Sequence, residues 1–260
     1  MKGFIFLYGS EILLRFVKTN AFINLEARHD ITYVAVSSSK MMKDGGVDSN
    51  FSSILSKVEW IPFYSERHRR WVELFDLSCI RFMDRSSSFK LRHQEAARHS
   101  PERAARLEKR ADPSSYESYR SVLETDMGLN PAILSLTLEK RPDFFVLPSA
   151  LLDYITDDVL QIADALSIPT LMLVAGWDNL SSKGLIQHHP TVIGVWGEQS
   201  RKHGVEIQGV DPKSVHVIGA PHYEDFHIEP TYDSKTWKEK LGIPPAQTLI
   251  LFAGSFHAFD

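Results

Sequence analysis

The loop at residues 175–184 holds the densest group of chemically capable side chains in this sequence. Its sequence, AGWDNLSSKG, combines an indole, a carboxylate, an amide, two hydroxyls and an ammonium group. A plain strand-to-helix connection needs fewer functional groups than this. The composition therefore predicts a catalytic or binding loop. The alternative is a surface turn in which Asp178 or Asn179 caps the helix and Lys183 is solvated.

Two other loops can supply a base or an anion site. Gly9, Ser10 and Glu11 lie between a predicted strand and a predicted helix, where backbone amides bind anions. Ser10 is otherwise a helix cap, and Glu11 a partner of the helix dipole. His222 follows the last strand of the first predicted domain, and histidine is the commonest general base. An isolated loop histidine is also often structural or exposed.

Several common kinds of site lack their residues. The adjacent His188 and His189 do not face one way, and no nearby residue completes a metal-ligand set. The sequence contains no GxSxG elbow, no phosphate-binding P-loop and no GxGxxG fingerprint. The single cysteine, Cys79, excludes an internal disulfide and lies in an apolar stretch typical of a core. Metal, P-loop and classical dinucleotide sites are therefore not expected.

The overall composition is that of an ordinary soluble protein. Of the 260 residues, 43% are hydrophobic and 24% are charged, which is enough for one large core or two smaller ones. The net charge of −4 argues against nucleic acid as a partner, because such binding needs a clearly basic surface. No run approaches the roughly 20 apolar residues that span a bilayer, so a cytoplasmic location is expected.

A strand and helix rhythm must position these loops. Short apolar, β-branched runs alternate with segments whose apolar residues recur at helical spacing. The predicted strands are residues 3–8, 31–37, 58–63, 144–147, 169–174, 191–196 and 214–218. This alternation predicts an α/β protein with a Rossmann-like, doubly wound parallel sheet. Ligands then bind beyond the carboxyl ends of the strands, where the loops described above converge.

The chain divides into two predicted parts. Residues 1–219 form the first Rossmann-like domain, interrupted by a basic helical insertion at about 65–126. Residues 220–260 form a linker and the truncated start of a second Rossmann-like domain, with a strand from Leu249. Because that second sheet is begun and not completed, residues 1–260 alone are expected to be catalytically inactive.

Positive charge is concentrated in the insertion. Residues 65–110 contain 12 Lys and Arg against 7 Asp and Glu, a net +5, whereas the rest of the chain carries −9. Trp71 and Phe75 are interleaved with arginines such as Arg67, as in helices that lie on anionic membranes. The simpler alternative is a solvated basic face, with Trp71 and Cys79 packing on the sheet. Peripheral contact with the inner face of an anionic membrane is therefore one hypothesis for this segment.

Several segments together resemble bacterial GT-B glycosyltransferases of surface-carbohydrate synthesis. The resemblance covers essentially the whole chain and rests on the first strand with its Gly9-Ser10-Glu11 loop, residues 176–184, the strand at 192–196 followed by Glu198, and residues 217–223. Its most specific part is the loop from Trp177 to Gly184. That loop is also similar to one in the CDP-glycerol glycerophosphotransferases, where a histidine follows the tryptophan. Here Asp178 takes that place, which favours sugar transfer over polyol-phosphate transfer.

The resemblance implies that the first domain binds the acceptor and the second a nucleotide-diphosphate sugar. The sugar is then transferred to a glycan or lipid-linked acceptor in the cleft between the domains, without a tightly bound cofactor or metal. Asp178 is the first candidate for the base that deprotonates the acceptor, with Glu11 and His222 as second choices. The implied substrate-binding residues are Gly9, Ser10, Trp177, Asn179, Ser181, Ser182, Lys183, Gly184 and Glu198.

Two alternative functions fit the same residues. A nucleotide-sugar epimerase, of the UDP-N-acetylglucosamine 2-epimerase type, shares the architecture and binds the donor without an acceptor. A non-catalytic module that binds carbohydrate or a partner needs no donor site. Product analysis distinguishes the transferase from the epimerase, and an acidic nucleotide-binding site in a further αβ domain would favour either enzyme over the module.

Overall fold

The computed structural model divides the chain into two compact units, Met1–His222 and Tyr223–Asp260. The boundary predicted from the sequence lies near Gly219. The residues that the structure describes are 1–8, 16, 21–37, 58–149, 151, 153–221, 223, 229 and 231–250.

The first unit is built on a seven-stranded sheet in which all neighbouring strands are parallel. The strands are β1 (Lys2–Leu7), β2 (Asp30–Ser37), β3 (Val58–Pro62), β4 (Phe144–Ser149), β5 (Thr170–Val174), β6 (Val192–Val195) and β7 (Val215–Val217). Their order across the sheet is β3-β2-β1-β4-β5-β6-β7. The chain thus builds outward from β1 in one direction and from β4 in the other. The carboxyl ends of β1 and β4 form the switch point of a Rossmann-like, doubly wound fold, and the predicted α/β class is confirmed.

Helices connect and cover the strands. They are α1 (Ile23–Glu26), α2 (Ser65–Arg81), α3 (Ser87–His99), α4 (Pro101–Arg110), α5 (Pro113–Met127), α6 (Pro131–Lys140), α7 (Tyr154–Leu166), α8 (Asn179–Ser182), α9 (Glu198–Glu206) and, in the second unit, α10 (Ser234–Lys240). None of the helices in the described part of the chain combines the length and the apolar character that a membrane span needs.

Alternate strand residues pack on opposite faces of the sheet. Along β1, Phe4 and Phe6 join the larger core while Ile5 and Leu7 join a second core on the other face. The ring of Phe145 in β4 stacks on Phe4 with centroids 5.8 Å apart and meets Phe6 edge-on at 5.3 Å. Because both faces are covered, the strands read as continuous apolar runs and not as an alternation of apolar and polar residues.

The basic insertion is a group of four helices, α2 to α5, that follows β3. Proline opens both α4 and α5, and Asp112 caps α5 by accepting hydrogen bonds from two amides of its first turn. Leu77 of α2, Leu107 of α4 and Tyr116 of α5 pack in a separate apolar core. The insertion therefore folds around apolar contacts of its own.

A buried ion pair joins the insertion to α7. Arg67 Nε lies 3.3 Å from Asp158 Oδ2, and each side chain is 8% exposed. The guanidinium also donates to the carbonyls of Met127 and Gly128. Burial raises the pKa of Asp158 to about 6, although Arg67 opposes the shift. Arg67 thus faces the interior and cannot contact a membrane, contrary to the hypothesis drawn from its charge.

The second unit differs from its prediction near its end. Leu249 and Ile250 belong to no strand, and the rest of the predicted strand lies outside the described residues. The unit contains helix α10, which Asp233 caps by accepting from the amide of Thr236 over 2.7 Å.

Candidate functional site

The β5 loop, residues 175–184, lies at the carboxyl edge of the sheet, where doubly wound folds bind ligands. Its first amide, that of Ala175, donates to the carbonyl of Ser149 at the end of β4 over 2.8 Å. Trp177 is 56% exposed, and Lys183 is half-buried. The structure therefore places the predicted loop at the edge where the sequence predicts it.

The helical insertion holds the end of α8, the single helical turn within the β5 loop. Ser86 donates its hydroxyl hydrogen to the Ser181 carbonyl, and Arg92 Nη2 donates to the Ser182 carbonyl over 3.0 Å. Carbonyls at the end of a helix lack intrahelical donors, so these contacts satisfy groups that would otherwise be unpaired. The insertion thereby positions part of the β5 loop.

Residues of α9 and of the turn after it hold the remaining backbone of the loop. Ser200 donates from its hydroxyl to the Trp177 carbonyl over 3.0 Å. Gln208 Nε2 donates to the carbonyls of Leu180 and Gly184 at 2.8 and 3.2 Å. A backbone held in this way presents its side chains in a fixed geometry, which lowers the cost of reorganisation when a ligand binds.

Asp178 is partly exposed and makes a local hydrogen bond. Its Oδ2 accepts from the hydroxyl of Ser182 over 2.7 Å. Asp178 occupies the N-cap position of α8, but its side chain does not bond the amides of that helix. The carboxylate thus keeps accessible surface and bonds within its own loop.

Glycine is required at two positions of the loop for reasons of space. A Cβ on Gly184 would lie 2.3 Å from the ring of Phe75 in α2, and one on Gly176 would lie 2.9 Å from Asn179 Oδ1. Asn179 is 6% exposed, and its Oδ1 has no hydrogen-bond partner among the residues that the structure describes. Asn179 thus lies beneath the loop, whereas the sequence analysis placed it on the ligand side.

The other predicted residues are not brought together with the β5 loop by any described contact. Glu198 begins α9, is exposed, and lies 3.5 Å from Arg201 one turn later. The four remaining candidates lie outside the described residues and stay predictions: Gly9, Ser10, Glu11 and His222.

A chain of hydroxyl groups lies at the switch point between β1 and β4. The Leu151 amide donates to Ser149 Oγ over 3.0 Å, and Ser149 Oγ lies 3.0 Å from Thr156 Oγ1. Thr156 in turn donates to the phenolic oxygen of Tyr8 over 3.0 Å. Burial, reinforced by the charge of Asp153, raises the pKa of Tyr8 well above its usual value. Tyr8 therefore keeps its hydroxyl hydrogen and can act as a hydrogen-bond donor at this point.

Asp153 caps α7 beside these hydroxyls. Its Oδ1 accepts from the Thr156 amide over 3.0 Å. The residue keeps some accessible surface, yet protein surrounds the carboxyl closely enough that burial raises its pKa to about 7. A carboxyl that exchanges its proton near neutral pH suits general acid and base chemistry.

A second carboxyl with a raised pKa lies one turn further along α7. Asp157 accepts from Trp71 Nε1 over 2.7 Å and from the Gln187 amide over 3.2 Å. Burial raises its pKa to about 7 despite both donors. Asp157 thus links α2 of the insertion to the segment that follows the β5 loop.

The sequence analysis did not identify Tyr8, Asp153 or Asp157 as site residues. A usable signal was present, since residues 153–158 read DYITDD, with three carboxylates in the first turns of a helix directly after a buried strand. That position is the switch point, which depends on strand order and therefore on the tertiary structure.

Comparison with known proteins does not assign the chain to a family. No protein-family model matches it, and no curated protein is similar enough in sequence to count as a relative. Within the described residues, no group of three or more His, Cys, Asp or Glu side chains is arranged to hold a metal ion.

Proposed function

We propose that this chain supplies the acceptor-binding side of a glycosyltransferase. The enzyme would move a sugar from a nucleotide-diphosphate donor to a glycan or lipid-linked acceptor. One observation carries the proposal. Hydrogen bonds to its carbonyls fix the β5 loop at the carboxyl edge of the sheet, while the side chains of Trp177, Asp178 and Lys183 keep accessible surface. Such pre-organised groups suit a site that must orient a hydroxyl for attack.

The residues of the loop have distinct roles in this proposal. Asp178 takes the proton from the acceptor hydroxyl as its oxygen bonds to the anomeric carbon. The bond from that carbon to the diphosphate breaks, and the diphosphate leaves with the electron pair. Ser181 and Lys183 orient the acceptor, and Trp177 offers a ring face to a sugar. Glu11 and His222 stay the second choices for the base.

The proposed reaction needs no tightly bound metal. Amides at helix N-termini and cationic side chains can stabilise a departing diphosphate, since they present fixed positive potential where negative charge develops. The donor is a substrate that leaves after each turnover.

A transfer assay with the protein expressed from its complete reading frame tests the proposal. The protein is incubated with uridine, guanosine and cytidine diphosphate sugars and a bacterial envelope extract, and mass spectrometry detects nucleoside diphosphate and glycosylated product. We expect Asp178→Asn to lower the rate about 100-fold to 10,000-fold, as for loss of a general base, with little change in melting temperature. The matched control is Asp84→Asn, which changes an exposed carboxylate 3.3 Å from Lys90.

The alternatives give different products. Conversion of the donor into its epimer without transfer identifies an epimerase. Binding of carbohydrate without turnover identifies a non-catalytic module. Transfer at the wild-type rate by Asp178→Asn moves the role of base to Glu11 or His222.

A further inference from the structure

A series of aromatic rings lies at the carboxyl edge of the sheet, beside the switch point. We define the aromatic ladder as Phe63, His68, Trp71 and Phe75. Phe63 follows β3, and its ring centroid lies 5.5 Å from that of His68. His68 stacks on Trp71 at 6.1 Å and 21°, and Trp71 meets Phe75 at 5.1 Å. The ladder therefore runs along α2 from the end of β3 toward the β5 loop.

Hydrogen bonds and a further ring contact hold the rings in place. Tyr154, at the start of α7, supports Phe63 with centroids 5.6 Å apart, and its hydroxyl accepts from the Tyr64 amide over 2.9 Å. The indole of Trp71 is held by its hydrogen bond to Asp157. These rings are already immobilised before any ligand arrives. Stacking of a ligand on the ladder therefore costs the protein little additional side-chain entropy.

Phe63 is the ring of the ladder that faces solvent. It is 43% exposed, whereas His68 and Trp71 are half-buried and Phe75 is 8% exposed. Trp60, in β3, is 41% exposed but has no ring partner among the described residues. Phe63 thus combines exposure with a supported ring plane, and Trp60 provides a natural comparison that has the exposure alone.

The groups around the ladder select the chemistry of its ligand. Asp153 adjoins Tyr154 in sequence, is partly exposed, and accepts from the Thr156 amide over 3.0 Å. A sugar ring matches this combination, since it has an apolar C–H face and hydroxyl groups at its edge. A lipid chain would need a larger continuous apolar patch than one exposed ring provides.

We propose that the aromatic ladder is a stacking subsite for a neutral carbohydrate ring, with Phe63 as the contact ring. As part of an acceptor site, this subsite rests on the proposed function and narrows the acceptor to one that carries a neutral sugar. The binding step itself does not depend on catalysis and can be measured separately.

Saturation-transfer difference NMR with the protein expressed from its complete reading frame tests the subsite. The probes are methyl β-glucoside, methyl β-galactoside and methyl N-acetyl-β-glucosaminide. Uridine monophosphate is tested separately, as a representative of nucleotide ligands. We expect at least one glycoside to receive saturation at the protons of one ring face. Phe63→Ala should raise its dissociation constant about two- to tenfold, as expected for one aromatic contact, and Phe63→Tyr should preserve it. Trp60→Ala is the matched control and should bind as the wild type does.

The outcomes separate this inference from the proposed function. Equal binding by Phe63→Ala and the wild type, binding of uridine monophosphate alone, or binding of no glycoside overturns the subsite, whatever the transfer assay shows. Loss of glycoside binding in Phe63→Ala by a protein that transfers no sugar supports the subsite and rejects the transferase. In an active transferase, Phe63→Ala should raise the acceptor KM and leave donor hydrolysis unchanged.

Discussion

Trp71 in the helical insertion donates its indole hydrogen to Asp157 in α7 over 2.7 Å. This hydrogen bond joins an aromatic ring of the ladder to a buried carboxyl beside the switch point. The same carboxylate accepts from the Gln187 amide, in the segment after the β5 loop. One side chain, Asp157, thus connects three parts of the chain that are distant in sequence.

We expect Trp71→Phe to lower the free energy of unfolding by about 1–3 kcal/mol at about pH 8, because the buried Asp157 carboxylate loses a donor. The hydrogen bond from Trp71 lowers the pKa of Asp157 against the burial that raises it to about 7, so its loss should raise that pKa further. Near pH 5.5 the carboxyl is protonated in the folded state, and the cost should be smaller. Urea unfolding at both pH values measures the difference. Trp60→Phe, at an exposed ring, is the control, and an equal cost at both pH values would contradict this role for Trp71.

Asp153 should make stability fall as pH rises from about 4 to about 7. The unfolded chain releases this proton near the ordinary pKa of about 3.9, whereas the folded protein retains it until about 7, so folding opposes ionisation across this window. Asp153→Asn removes the charge and keeps a good helix cap. Relative to the wild type, the variant should gain stability across the window and keep a constant advantage above it. A pH-independent difference in urea midpoints would show that Asp153 has an ordinary pKa.

Arg67→Met should destabilise the protein by about 3–5 kcal/mol, because it leaves Asp158 as an uncompensated buried charge. The second change Asp158→Asn removes that charge, so the double variant should be more stable than Arg67→Met alone. Chemical denaturation of the wild type, both single variants and the double variant completes the cycle. Strictly additive costs would mean that the 3.3 Å contact carries no coupling.

The membrane hypothesis now concerns α3 and α4 and not Arg67. Residues 87–110 carry 7 Lys and Arg against 3 Asp and Glu, and Arg98, Arg106 and Lys109 are exposed. Each such residue contributes roughly 1 kcal/mol near an anionic leaflet. Changing the three to Gln should therefore reduce co-sedimentation with phosphatidylserine-containing vesicles at low salt.

The matched control for membrane binding removes the same charge elsewhere. Arg28, Lys202 and Lys213 are exposed and lie outside the insertion. Their change to Gln should leave co-sedimentation intact, and salt should weaken the binding of the wild type because it screens exposed charges. Negligible binding by the wild type at low salt would leave α3 and α4 as an ordinary solvated surface.

The sequence by itself determined the fold class and the location of the main loop. Strands such as β1 are apolar on both faces. In the segments between the strands, apolar residues recur at helical spacing. These two local patterns predict a parallel sheet that is covered by helices on both sides. The β5 loop then lies at the carboxyl edge, because it directly follows a strand of that sheet. The unusual composition of this loop can also be recognised from the sequence alone.

Only the tertiary structure decided what surrounds that loop and which charged residues are buried. Ser86 and Arg92 reach the loop across 95 and 90 residues of chain, and no local pattern marks them as its supports. Arg67 has the composition of a surface cation, yet Asp158 and two backbone carbonyls pair with it in the interior. Asp153 and Asp157 are ordinary aspartates in sequence, and their pKa values rise because packing removes water from them. Burial and pairing depend on which distant helices pack together, and local residue patterns do not encode that choice.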